Sequence, residues 1–145
     1  MVRLWSIPLP SSHPRTDLAI VGAGVSGCAL AASLRRRGWR GSIELLEIGR
    51  GPGGRAASRY SRQDPDLRIN HGAPLFNIRA QTPPELLQAL EQREVISPFR
   101  GSIQSLDGQR SLGPAIDDGF SDGQIWQGRG GMDALAAGLL ELAEA

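Results

Sequence analysis

Lysine is missing from this sequence: all 16 basic residues are arginine. Chemistry that depends on a lysine amine, such as a Schiff base or a P-loop, is therefore ruled out. One cysteine, Cys28, leaves no disulfide framework and no multi-cysteine zinc site. The only histidines stand at 13 and 71, too few for a histidine-rich metal centre, and no metal site is expected. No apolar run approaches the roughly 20 residues of a membrane-spanning helix. Prolines at 8 and 10 also interrupt any apolar core of a signal peptide. The expectation is a soluble, cytoplasmic protein without a membrane span.

What the sequence does hold is glycine, 19 residues in 145, and a concealed charge asymmetry. Residues 1–62 carry ten arginines against three acids, while residues 63–145 carry six against twelve, so a net charge of +1 hides halves of +7 and −6. A basic half suits an anionic ligand, and opposed halves attract each other. Arg35, Arg36, Arg37 and Arg40 lack the aromatic interleaving of a nucleic-acid surface, and they suit the negative end of a helix better. No nucleic-acid partner is expected. Asp117, Asp118 and Asp122 lack the ligand order of a calcium loop and read as a solvated turn.

Residues 1–16 are rich in proline and serine without periodicity, and read as a flexible leader. Order is expected from Asp17. Leu18–Val21 reads as a buried strand, Val25–Arg37 as a helix stopped by Gly38, and Ser42–Glu47 as a second strand. Strand, glycine turn, helix and strand in about thirty residues make a βαβ unit. Residues 49–54 form a glycine-rich loop, and Leu67–Asn70 a short strand. Thr82, followed by two prolines and Glu85, predicts a helix start with Thr82 as cap, running to Val95 and burying Leu86, Leu87 and Leu90. A hairpin around Asp107-Gly108, a strand over Gly123–Gln127 and a helix over Met132–Glu144 follow.

The turn Gly22-Ala23-Gly24-Val25-Ser26-Gly27 is a GxGxxG between strand and helix. In that pattern the first glycine permits the tight turn, the second lets main chain approach a pyrophosphate, and the third lets helix and strand pack closely. The helix start then offers unpaired amides and a positive dipole end to the phosphates. Glu47 lies 20 residues beyond Gly27 at the end of the next strand, the position of an acid that holds an adenosine ribose. Its charge disfavours a 2′-phosphate, hence NADP. Eight residues further on, Gly53-Gly54-Arg55 ends with an arginine that can fork onto pyrophosphate oxygens.

This order of motifs resembles FAD enzymes of the amine oxidase superfamily. Asn70-His71-Gly72-Ala73-Pro74-Leu75-Phe76 and Gly128-Arg129-Gly130-Gly131-Met132-Asp133-Ala134-Leu135 are similar to two segments of renalase-like oxidoreductases, with Asn70 where that group usually has aspartate. The resemblance implies FAD as cofactor, bound by main chain of Gly22, Gly24, Val25, Ser26 and Gly27 at the pyrophosphate. It further implies Glu47 at the ribose, Gly54 and Arg55 on the diphosphate side, and Gly72 and Ala73 on the ribityl or flavin side. The implied activity is flavin-dependent oxidation of an amine or a reduced nicotinamide; it points to no catalytic residue. His71 reads as a loop histidine, and Cys28 as a small buried apolar residue.

The implied fold is α/β: a Rossmann-type FAD-binding βαβ segment over 17–80, then the start of an α+β substrate-domain excursion and a return helix over 81–145. In the resembled family, later strands complete the parallel sheet, so an incomplete domain with a two-stranded parallel core is expected. Such a chain would not be catalytically complete alone, and would need a complementary C-terminal chain or self-association to cover its apolar surface. Two alternatives remain: a non-catalytic fragment or one subunit of a split flavoprotein, and an NAD-binding Rossmann domain.

Overall fold

The computed structural model describes residues 2–5, 15–64, 66–104, 111–112 and 123–144. Val2–Trp5 (β1), Leu18–Val21 (β2) and Ile43–Leu46 (β3) form a parallel sheet with β3 in the middle. Both outer strands use the same register on β3: Val2 and Leu18 oppose Ile43, and Trp5 and Val21 oppose Leu46. The reading of residues 1–16 as leader and of a two-stranded core is thereby corrected at Val2–Trp5. A parallel strand has two hydrogen-bonding edges, and β2 occupies only one edge of β3. The segment Val-Arg-Leu-Trp, ahead of the first proline, is able to take the other.

The βαβ unit lies where the glycine spacing predicts it. Between β2 and β3 runs α1 (Val25–Arg36), whose buried residues are the small Cys28, Ala31 and Ala32. Its end is a left-handed glycine cap: Gly38 has φ +86°, its amide bonds to the Arg35 carbonyl, and the Trp39 amide reaches the Leu34 carbonyl. Arg35 donates to the carbonyls of Trp39 and Gly41, and Arg36 pairs with Glu85 at 3.0 Å. Half of the arginine cluster is thus engaged in closing the loop and docking a neighbouring helix.

Beyond β3 the architecture changes from parallel to antiparallel. Ser58–Tyr60 (β4) pairs with Arg68–Asn70 (β5). Phe76–Ile78 (β6) and Ile96–Pro98 (β7) flank Gln124–Gly128 (β10), while Ile103–Gln104 (β8) pairs with Ser111–Leu112 (β9). The β8–β9 pairing agrees with the expected hairpin; Asp107-Gly108, Asp117, Asp118 and Asp122 lie outside the described residues.

Helix α2 (Glu85–Gln92) starts after Pro84, not after Thr82, and stops short of Val95. Two consecutive prolines account for the late start, because a residue preceding proline is pushed out of the helical region. Pro84 itself is extended, at φ −54° and ψ 147°. Leu90 is buried, and Leu86 and Leu87 are half-buried against the core. The final helix, α3 (Asp133–Glu144), packs on α1 and brings Leu135, Leu139 and Leu142 into the same core as Ile20, Ile43 and Leu45. Small residues on α1 permit this approach.

Cys28 is fully buried, and its thiol donates to the Ala23 carbonyl at 3.3 Å. Burial, with help from the Glu47 charge, pushes the thiol up to about 11 from its ordinary 9.0. The unfolded chain loses this proton first, so the stabilisation is complete below pH 9 and is lost as pH rises through about 11. Urea unfolding between pH 8 and 11 should therefore show falling stability, and Cys28→Ala should flatten that fall. The core makes a second prediction. Leu45→Ala should destabilise by about 2–5 kcal/mol, whereas Val21→Thr, at a site 86% exposed, should stay within about 0.5 kcal/mol.

Candidate functional site

The sheet ends in the loop that follows β2, and three separate pieces of main chain meet there. Gly22 holds φ +96°, which turns the chain from strand to helix. At Gly27 a Cβ would stand 2.2 Å from the Gly22 carbonyl oxygen, so the helix rests directly on the turn. The residues 53 and 54 then lie against this turn. The Gly53 amide donates to the Ala23 carbonyl at 2.9 Å, and Gly24 and Gly53 form a parallel bridge. The returning segment after β5 is seated next: the Ala73 amide donates to the Arg55 carbonyl at 2.8 Å. A Cβ on Gly72 would lie 1.9 Å from that same oxygen.

Glu47 closes the arrangement. Its carboxylate accepts the Ala23 amide at 2.8 Å and the Gly49 amide at 2.7 Å, one bond on each oxygen. A carboxylate offers about four acceptor sites, so both oxygens retain capacity for ligand hydroxyls. The side chain is thus held in place by main chain from β2's turn and from its own loop.

Gly22, Gly24, Val25, Ser26, Gly27, Arg55, Gly72 and Ala73 border one cleft of about 890 Å³. Glu47 and Gly54 border an adjoining cleft of about 970 Å³, together with His71. The Gly53–Arg55 segment borders both. Exposed arginines surround these openings, Arg55 on the first and Arg50, Arg59 and Arg62 on the second. None of the four forms an ion pair among the described residues. Apart from the turn and the Gly53–Arg55 loop, the first cleft is largely apolar, walled by Phe76, Leu86, Leu87, Met132 and Leu135. The contribution of α2 to that wall escaped the sequence reading, although the half-buried leucines at 86 and 87 were its signal.

These residues fit a dinucleotide. Nothing lies within 4 Å of where a Cβ on Gly24 would stand, so main chain is open to a ligand there. The first amides of α1 follow without intrahelical partners. No group of His, Cys, Asp and Glu suited to a metal ion occurs among the described residues. No helix among them is long and apolar enough to cross a membrane.

Over 105 residues the chain is 33% identical to (S)-6-hydroxynicotine oxidase of Paenarthrobacter nicotinovorans, covering 72% of this chain and 23% of that protein. Among solved structures, the CLA-producing fatty acid isomerase from P. acnes matches 73% of this chain and 24% of its own, at 22% identity and a TM-score of 0.43. Wild-type putrescine oxidase bound to putrescine matches 70% of this chain and 22% of its own, at 25% identity and a TM-score of 0.43. The chain spans about a quarter of the length of these relatives. Residues 20–92, half of the sequence, match the NAD(P)-binding Rossmann-like domain and include the glycine turn, Glu47 and the Gly53–Arg55 loop. The chain belongs to the family of NAD(P)-binding Rossmann-like domains.

Proposed function

We propose that this chain is the FAD-binding portion of an amine-oxidase-type flavoprotein oxidoreductase of the renalase-like group. The observation that carries this reading is the stacking of the Gly53–Arg55 loop on the GxGxxG turn, with Glu47 tied to that turn at Ala23 and to the start of the following loop at Gly49. A dinucleotide motif alone would serve NAD equally well; the second glycine pair with its arginine favours FAD. The oxidase named among the relatives adds support from sequence.

In this reading the amides of Val25, Ser26 and Gly27 and the Arg55 guanidinium bind pyrophosphate oxygens. Glu47 accepts ribose hydroxyls, and its charge turns away a 2′-phosphate. Gly72 and Ala73 border the cleft where the ribityl and flavin side would lie. Bound there, the flavin would supply the electron acceptor for oxidation of an amine or a reduced nicotinamide. The chain's own share is to bind and orient; turnover requires the remaining three quarters of the relatives' length. A complementary C-terminal chain would supply it, self-association would instead cover apolar surface, and cytoplasmic location goes with the same reading. The second reading, an NAD-binding domain, is favoured by the family match itself.

Gly24→Ala separates fold from function. Its Cβ meets nothing and its φ of −69° suits alanine, so the variant should fold with an unchanged unfolding curve. The methyl group fills the approach to the phosphates, and FAD affinity in a calorimetric titration should fall by about ten-fold or more. Glu47→Gln should weaken adenine dinucleotides by about ten-fold, the scale of a hydrogen bond to a charged group. Full affinity in both variants would remove the assignment, and wild-type preference for NADH over FAD would establish the second reading.

A further inference from the structure

Helix α3 begins at Asp133, and the residue before it, Met132, has no side-chain oxygen with which to cap the first amides. The Ala134 and Leu135 amides bond locally, to the Gly131 and Met132 carbonyls, but the two before them are satisfied from far away in sequence. The Met132 amide donates to Asn70 Oδ1 at 2.9 Å, and the Asp133 amide donates to Ser58 Oγ at 3.3 Å. The Ser58 hydroxyl in turn donates to Asn70 Oδ1 at 2.7 Å. That one amide oxygen therefore accepts two bonds, which fills its two lone pairs. The same ladder reinforces the junction. Tyr60 donates its hydroxyl to Asp133, which holds the phenol above its ordinary range, and Arg68 donates to the Gly130 carbonyl at 3.0 Å while lying over the Tyr60 ring.

Asn70 also stands two residues before Gly72, which is pressed onto the Arg55 carbonyl. Met132 and Leu135, at the start of α3, border the same cleft as Gly72 and Ala73. One side chain is thus bonded to one wall of the cleft and covalently continuous with another.

We propose that Asn70 is a positioning residue: its Oδ1 caps α3 in trans and so fixes the Gly72-Ala73 wall relative to the Met132–Leu135 wall. An aspartate would accept the same two bonds, with its charge at the positive end of α3. The acceptor, and not the charge, is what this position requires. The identity of the ligand rests on the FAD reading above; the cap belongs to the chain itself.

The test uses the full chain, with Asn70→Ala, Asn70→Asp and Ser58→Ala. Amide hydrogen exchange without ligand should rise about ten-fold in Asn70→Ala at both 72–76 and 132–135, and stay unchanged across 22–27. The FAD dissociation constant should rise about ten-fold, while that of ADP, which in this reading reaches Glu47, the glycine turn and Arg55 but not Gly72 and Ala73, should not move. Asn70→Asp should restore both. Exchange rising at 132–135 alone would overturn the coupling, and equal losses for FAD and ADP would reduce Asn70 to general support. Failure of Asn70→Asp to restore them would overturn the acceptor role. Should Asn70→Ala not fold, Ser58→Ala must show the same paired rise at about three-fold, or the proposal falls. A wild-type chain that binds neither nucleotide, with the paired exchange response intact, would sink the FAD reading and leave the positioning role standing.

Discussion

At Gly27 the first turn of α1 lies so close to the Gly22 carbonyl that no Cβ fits between them, and two further close approaches of main chain follow, one tight and one as exclusive. Gly54 stands over the Cα of Gly24, with 3.3 Å left for a Cβ, and Gly72 is pressed on the Arg55 carbonyl. Each successive segment is thereby stacked on the previous one through main chain alone. The spacing is set by van der Waals contact between backbones, which side-chain rotamers cannot alter. A ligand approaching Gly24 meets amides and open space instead of methyl groups. The same economy of side chains continues inward, where Cys28, Ala31 and Ala32 let α3 close on α1. Cleft and core are thus two consequences of keeping one helix bare.

Charge is organised around this frame. Glu47 sits at the tips of β2 and β3, and its two accepted amides hold it without a cationic partner among the described residues. Burial first, and the field of Glu47 second, keep the Cys28 thiol protonated and hence a poor nucleophile. The basic half of the sequence resolves into two populations. Arg35 and Arg36 are engaged at the far end of α1, whereas Arg50, Arg55, Arg59 and Arg62 surround the two clefts. Their positive potential is available to an anionic ligand, with the Glu47 carboxylate as the counterweight of opposite sign beside them.

The parts of this structure that were legible in the sequence are those whose signals are local. β2, α1 and β3 were marked by apolar runs and by glycines at both ends of the helix, and α3 by its leucine stripe. β1 was obscured because four residues ahead of a proline-rich stretch show no periodicity, and only the vacant edge of β3 makes them a strand. In the sheet of β6, β10 and β7 only β10 was expected, as the strand over Gly123–Gln127; β6 and β7 are three-residue segments whose pairing is long-range, so each looks like a loop by itself. The start of α2 shows two local rules in competition. Thr82 offered a capping side chain, but the restriction imposed by Pro83 and Pro84 won, since a cap requires helical residues directly after it. In the site, the glycines and Glu47 were readable by spacing. The bonds from Asn70 and Ser58 to α3 were not, because they join residues 62 and 75 positions apart in sequence.

The two kinds of wall in the 890 Å³ cleft have different origins, and this bears on what it accommodates. The β2–α1 turn and the Gly53–Arg55 loop contribute amides, carbonyls and a guanidinium. α2 and α3 contribute Leu86, Leu87, Met132, Leu135 and Leu139, none with a polar group suited to an anion. An orthophosphate would satisfy the first set and leave the second in contact with water. A purely apolar ligand would bury the second and desolvate the turn without compensation. Only a molecule with a charged, hydrogen-bonding middle and a broad apolar end uses both sets at once. Dinucleotides have that form, and a flavin ring presents more apolar area to such a wall than a nicotinamide does. The apolar residues supplied by α2 therefore give the cleft a second surface beside the main-chain one, and a ligand must match both.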